Sequence, residues 1–244
     1  MKKILFLTLL LIPALFSCQK ELGDCFKSRG SHATESKQLT GFNSIIVYDK
    51  IDLIIIKDSI NCEHADLDGW KNILPNISFD VQDGVLSIHD NTTCDFVRDL
   101  NDRTTVTVYF KQLINLEVHD NASANSGKRL YLDSLVIKNH GVNDINLDLV
   151  MNSMLTTFQY SANNITLKGS AAVFVSVMED VSGMDASLFR GDYTYVFQDS
   201  PRDCYVNPLK ELGGQITYSG NVYYNTVPWK LSIEKKSSGN CIKK

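Results

Sequence analysis

From residue 41 onward, short apolar runs alternate with polar turn residues in the two-residue rhythm of half-buried strands. Ile45-Ile46-Val47, Leu53 to Ile56, Val85 to Ile88 and Val106 to Tyr109 are β-branched or aromatic, and turn clusters such as Asp83-Gly84 and Asp90-Asn91 separate them. The one helix expected is Leu67 to Leu74, closed by Pro75. The second half carries a longer rhythm. Apolar strand starts fall at Leu116, Leu135, Leu155, Val175, Val196 and Ile216, in steps of 19, 20, 20, 21 and 20 residues. Two residues after each start stand Val118, Ile137, Thr157, Val177, Gln198 and Tyr218, which would share the same strand face. A second strand follows two of these starts, around Ile145-Asn146-Leu147 and Ile165-Thr166-Leu167.

A recurrence near 20 residues with two or more strands per unit predicts an all-β solenoid. One coil cannot bury its apolar face alone, whereas stacked coils bury a continuous one and satisfy each other's backbone hydrogen bonds. Residues 116, 135, 155 and 175 are expected to form one interior column. The competing architecture is an antiparallel sandwich, which does not require strands to recur at a constant spacing over five steps.

The first residues have a different character. Met1-Lys2-Lys3 is basic, and Ile4 to Phe16 is an apolar run broken only by Thr8 and Pro13. Thirteen residues are fewer than the roughly 20 a bilayer-spanning helix needs, so the run reads as a secretory signal, residues 1–17. Leu15-Phe16-Ser17-Cys18 resembles the bacterial lipobox, in which cleavage precedes a cysteine that carries lipid; Phe16 is larger than the residue usual there. Cys18 is therefore the expected lipidation site, and a membrane is the first expected partner. Gln19 resembles lipoproteins forwarded to an outer membrane, on its periplasmic or cell-surface side. Residues 18–40 are polar and suit a lipidated tether, with Cys25 and Phe26 marking a segment that docks. Residues 41–244 are expected to form the folded domain.

With these pieces in order, the chain resembles the putative auto-transporter adhesin, head GIN domain family, over about residues 41–234. The resemblance rests on Gly41-Phe42-Asn43-Ser44-Ile45-Ile46-Val47, then Ile51 to Ile56, then Asp83-Gly84-Val85-Leu86-Ser87-Ile88. It continues through Val106-Thr107-Val108 with Leu113 and Leu116, and closes on Leu212-Gly213-Gly214-Gln215-Ile216 and Gly220-Asn221-Val222-Tyr223-Tyr224. It implies a right-handed β-helix-like fold of exported proteins and an adhesive role, and it supplies no catalytic residues. Where the family uses Gly-Ser-Gly turns, this chain has Asn-Ala-Ser at 121–123 and Ser-Ala-Asn at 161–163, with Asn expected to tolerate left-handed backbone.

Composition narrows the function. Net charge is −4, and −6 once Lys2 and Lys3 are removed, which argues against nucleic acid as a partner. Beyond Cys18 there are five cysteines, enough for two bridges, and Cys25 with Cys94 is the preferred pair in an oxidising compartment; the competing reading is that most of the five are simply small buried hydrophobes. No CxxC, nucleophile-elbow, zincin or phosphate-loop pattern occurs, so no metal, cofactor or catalytic residue is expected. His119 and His140, 21 apart, would face neighbouring coils, where turn imidazoles cap backbone groups more often than they bind metal. Asn143 to Asp148 vaguely suggests a calcium loop but reads more simply as the polar face of a strand.

A carbohydrate-active enzyme, a polysaccharide lyase or hydrolase on the same scaffold, is the alternative function. It would draw on Asp95, Asp99 and Asp102, or on Glu179-Asp180 with Asp185. The favoured reading is a non-enzymatic, lipid-anchored envelope protein that presents a solenoid surface to a polysaccharide or an envelope protein. Its candidate ligand residues are Tyr218, Tyr223, Tyr224 and Trp229, aromatic faces among Ser219, Asn221 and Asn225. The competing role for these aromatics is to cap or fill the last coil.

Overall fold

The computed structural model describes residues 29–92 and 103–244. The signal segment, Cys18, the Cys25–Cys94 pair, and Asp95, Asp99 and Asp102 lie outside the described residues.

The chain is a β-solenoid of about six turns with roughly 20 residues per turn. Its regular part runs through β8 (Asn115–Val118), β9 (Ser123–Ser126), β10 (Leu130–Asn139), β11 (Ile145–Gln159), β12 (Asn164–Met178), β13 (Gly183–Gln198), β14 (Cys204–Ile216), β15 (Val222–Tyr224), β16 (Lys230–Lys235) and β17 (Cys241–Lys243). The strands β11 to β14 bend halfway. Their second halves stack in parallel with β8, β10 and β16 as one wall, and their first halves stack with β9, β15 and β17 as a second wall.

The interior follows from alternation. In the second wall, Leu53, Ala124, Ile145, Ile165, Met184, Cys204, Val222 and Cys241 occupy one inward column, all but Cys241 fully shielded or nearly so. Cys204 is thus a small core residue, and burial pushes its thiol far above the ordinary range.

The first wall corrects the expected column. Leu135 and Leu155 are direct partners, but Leu116 pairs with Ile137, and Leu155 pairs with Phe174. Val175 and Val177 consequently face outward, and Phe174 takes the interior place, edge-to-face with Phe189 at 5.3 Å. The repeat is 21 residues from Leu116 to Ile137 but 19 from Leu155 to Phe174, with a register shift between Val150 and Met154. Since side chains alternate faces, a slip of one residue exchanges inside for outside, and the larger apolar ring stays in.

Polar side chains also enter the core where the first wall turns into the second. Asn139, Gln159, Asn163 and Gln198 are at most 1% exposed. Asn163 Nδ2 donates to the Gly141 carbonyl at 2.8 Å and its Oδ1 accepts from Gln159 Nε2 at 2.9 Å, which also donates to the Gly183 carbonyl at 2.8 Å. These amides satisfy turn carbonyls that no strand reaches. Ser-Ala-Asn at 161–163 thus serves by side-chain bonding rather than by left-handed backbone. Among the described residues, left-handed backbone outside glycine falls on Asp49, Asp83, Asp120 and Asp180.

The N-terminal part is less regular. It holds β1 (His32–Gln38), β2 (Ser44–Val47), β3 (Ile51–Lys57), β4 (His64–Trp70), β5 (Ile77–Gln82), β6 (Val85–Asp90) and β7 (Thr104–Phe110). The β6 and β7 strands form the coil outside β2 and β3, although they follow them in sequence, and β8 with β9 forms the coil on the other side. Three antiparallel pairings, β1–β4, β4–β7 and β5–β6, close that end.

Two expectations fail here. Leu67 to Leu74 is no helix. Residues to Trp70 belong to β4, where Ala65 and Leu67 alternate inward, and only a 3-10 turn remains at Leu74–Asn76. Residues 32–38 of the expected tether form β1, a largely exposed polar strand held by backbone pairing to β4.

Candidate ligand-binding face

The outer surface of the second wall is built by the residues that alternate with its core column. Asn125, Asn146, Thr166, Asp185, Tyr205 and Tyr223 stand in register on successive strands and point outward. Asn146 and Asp148 are therefore the solvent side of β11, as the strand reading of 143–148 expects. Tyr205 and Tyr223 stack at 5.1 Å, and Lys244 Nζ lies 4.7 Å from the centre of the Tyr205 ring.

Three hollows lie along this face. One of about 480 Å³ is bounded by Thr166, Asp185, Arg202 and Tyr205. A second of about 290 Å³ shares Thr166 and adds Asn125, Asn146, Asp148 and Lys168. A third of about 520 Å³ shares Lys168 and reaches Arg129, Gly169, Ser170 and Arg190 at the bend. Shared walls make them one open run over several coils. Gly169 is required at its floor, with φ +113°, because a Cβ there would strike the Leu149 carbonyl.

The electrostatics are uneven along the run. Arg129 Nε donates to Asp148 Oδ1 at 2.9 Å, and this carboxylate raises the guanidinium pKa. Lys168 and Arg190 are exposed and have no ion-pair partner among the described residues. Arg202 serves the scaffold instead, donating to Asn164 Oδ1 at 2.7 Å and to the Asn163 carbonyl at 3.1 Å.

A second constellation lines the edge of the first wall. His89, Tyr48, His119, His140 and Tyr160 stack in that order at centroid spacings of 4.2, 4.7, 4.7 and 4.6 Å. The two histidines expected on neighbouring coils do face each other, and they stack there. Burial first, then the neighbouring His119, lowers the His140 pKa. Burial pushes the Glu117 carboxyl up, but the Lys138 ammonium at 2.6 Å and His119 outweigh it and hold the pKa below its usual value.

Donor atoms of Glu117, His119 and His140 lie within 4.8 Å of one another, so these residues could hold a cation. As they stand, the near-parallel rings send their lone pairs side by side rather than to a common point, and Lys138 occupies the carboxylate. The arrangement is an aromatic stack pinned by ion pairs.

The sequence matches the family described as putative auto-transporter adhesin, head GIN domain, over residues 41–228, well over half of the chain. The chain belongs to this family. No curated protein sequence matches it. Among solved structures, this GIN-domain protein is similar to a putative adhesin of Bacteroides fragilis, with a TM-score of 0.79 and 18% identity over 88% of this chain and 97% of that one. It is also similar to a putative adhesin of Parabacteroides distasonis, with a TM-score of 0.61 and 17% identity over 87% and 98%. A putative adhesin of Parabacteroides merdae gives a TM-score of 0.53 and 16% identity over 87% and 97%. At such identities the likeness carries the fold alone. The family supports an adhesin-like, non-enzymatic role at the envelope or surface. Among the described residues, no helix is long and apolar enough to cross a membrane.

The GIN-domain scaffold does not bring the four expected aromatics together. Tyr223 lies on the outer face of the second wall, stacked on Tyr205. Tyr224, its neighbour on the strand, turns inward and packs against the core. Tyr218 sits on the turn between the walls, 51% exposed, and Trp229 stands 81% exposed just before β16. Residues Arg129, Lys168 and Arg190 are absent from the expected set. Their signal is faint but present, since Arg129, Asp148, Lys168 and Arg190 are separated by 19, 20 and 22 residues, the solenoid period read on its polar side.

Proposed function

We propose that this protein is a lipid-anchored adhesin of the bacterial outer membrane that lays the outer face of its second wall along a glycan chain. The observation that carries this reading is the run of three joined hollows, lined by amides, hydroxyls and Tyr205, whose ring stacks on Tyr223 beside it. Sugars are bound through such a mixture, because aromatic faces cover their C–H surfaces while amides and hydroxyls pair with their hydroxyl groups. An open face that spans several rigid coils suits an extended polymer better than a small compact ligand. The lipobox-like Leu15-Phe16-Ser17-Cys18 supports the anchor. The first described strand, β1, pairs with β4 at one end of the stack.

Residues on that face also weigh against hydrolysis or lyase chemistry. Asp148 is tied to Arg129, and Asp185 accepts from the Ser187 backbone and hydroxyl at 3.0 and 2.6 Å. Glu179 and Asp180 belong to a turn where Asp180 is left-handed, φ 52°. Among the described residues, the carboxyls whose acidity is displaced, Asp58, Glu117 and Glu211, all move down, whereas a general acid needs its pKa raised.

A glycan array probed with the full-length protein tests the reading. Specific glycan binding that weakens about tenfold in Tyr205→Ala or Tyr223→Ala is expected. Binding unaffected by both substitutions, or no glycan binding, would remove it. Loss of membrane association in Cys18→Ala is the expected result for the anchor, read by fractionation.

A further inference from the structure

We infer that the glycan taken by this face is acidic, with its carboxylate or sulfate groups held by Arg190, Lys168 and Arg129 where the second wall bends. The inference rests on the glycan reading above and adds its chemical class. Three cations and one carboxylate, Asp148, border the two joined hollows at this bend, a formal +2 on a chain whose net charge is −4.

Positions of these groups follow from strand register. Lys168 is in register with Asp148, which holds Arg129, and Arg190 is in register with Ser170, two residues further along the neighbouring strand. Strands lie about 4.8 Å apart, so the cations are strung over roughly 15 Å along the stack. A polymer with an anionic group at regular intervals would meet more than one of them.

Chemistry favours oxyanions in particular. Arg190 presents a planar guanidinium fork, matched to two oxygens of one carboxylate or sulfate, and Lys168 adds a point charge. Both are exposed without an ion-pair partner among the described residues, so an arriving anion need not displace an internal one. Arg129 is held in place by Asp148 at 2.9 Å and keeps further donors. Between the cations, Gly169 and Ser170 keep the floor low, while Val150 and Leu188 offer apolar contact to a sugar ring. Asn125 and Asn146 continue the run with neutral amides, suited to the hydroxyls of the intervening residues.

Biolayer interferometry with the full-length protein separates this from the parent reading. The probes are alginate as a polyuronate, chondroitin sulfate, neutral dextran, and duplex DNA as a polyanion of another class. At least one acidic glycan is expected to bind better than dextran, with affinity falling as salt rises from about 0.01 M to about 0.15 M. The paired substitution Lys168→Gln and Arg190→Gln, on exposed positions, is expected to weaken that binding by about tenfold or more. An unchanged melting temperature would show that folding is intact. Lys235→Gln with Lys243→Gln, on the last coil, should leave it unchanged.

Dextran binding as well as the acidic glycans would overturn the inference while the glycan reading stands. Loss in the last-coil variant but not at Lys168 and Arg190 would also overturn it, as would DNA binding of equal strength, which would mark mere charge. No binding of any glycan would remove the parent reading and this inference together.

Discussion

Residues 115–243 and residues 29–110 solve the same packing problem in different ways. In the C-terminal part each coil lies on the one before it in sequence, and all its strand pairings are parallel. In the N-terminal part the coil made by β2 and β3 is covered on one side by strands that come later, β6 and β7, and the outermost strands pair antiparallel. A stack needs its first edge covered, or its apolar interior and unpaired backbone remain open to water and to other chains. Antiparallel pairing supplies that cover, through one tight hairpin, β5–β6, and two pairings of strands distant in sequence, β1–β4 and β4–β7. The regular half is free to carry a long uniform face, and the candidate groove lies there.

Glycines give the sharpest contrast between the halves. Gly169 has left-handed backbone with the Leu149 carbonyl where a Cβ would be, while Gly41, φ +76°, has nothing within 4 Å. Gly169→Ala should cost about 3 kcal/mol or more, because coils would have to part, and Gly41→Ala about 1 kcal/mol from backbone strain alone. Denaturant unfolding of the two variants checks this, and equal losses would mean that the halves tolerate crowding alike.

Turns come next. Asn163 bonds the Gly141 carbonyl from inside, whereas the turns after β2, β8 and β12 rely on left-handed Asp49, Asp120 and Asp180 at φ 63°, 51° and 52°. Asn163→Ala leaves a buried carbonyl and Gln159 short of partners and should cost about 2 kcal/mol. Asp120→Ala should cost about 1 kcal/mol, from left-handed strain together with loss of the exposed bond that Asp49 N–H donates to Asp120 Oδ2. Hydrogen exchange is expected to show the first loss centred on the turns near residues 141 and 163.

The smallest expected effect is pH dependence at the ring stack that joins the two parts. The native His140 pKa lies below the 6.5 of a free imidazole, chiefly through burial. The unfolded chain therefore binds this proton more readily. The stabilisation is complete above about pH 6.5 and is lost as pH falls through the native value. Melting temperature should be lower at about pH 5.5 than at about pH 7.5, and His140→Gln should reduce that difference. An identical slope in the variant would assign the titration to another group.

Much of the architecture was legible because it rests on local rules. Alternation marks β3 and β7 as strands, and the steps near 20 residues mark Leu135 over Leu155. The period could not fix phase. Placing Val175 inside follows from constant spacing, yet Phe174 is there, because bend lengths differ by a residue and core volume decides which side chain enters. The helix expected at Leu67 to Leu74 fails for a similar reason, since pairing with β7 and β1 overrides local pattern. For the ligand face, aromatic content drew attention to the last coil, but Tyr223 and Tyr224 point to opposite sides of one strand and Trp229 stands on another flank.

By itself, the sequence determined the strands, the stacked-coil class and the membership of a family of adhesin type, since all three are written in the order and spacing of apolar residues. Only the tertiary structure decided that β6 and β7 lie outside β2 and β3, that Tyr48 stacks between His89 and His119, and that Arg129, Lys168 and Arg190 border one groove. The physical reason is that pairing between coils sets which distant residues become neighbours. That choice is made by the fit of whole coils and by the need to close an open edge, which short-range pattern does not encode.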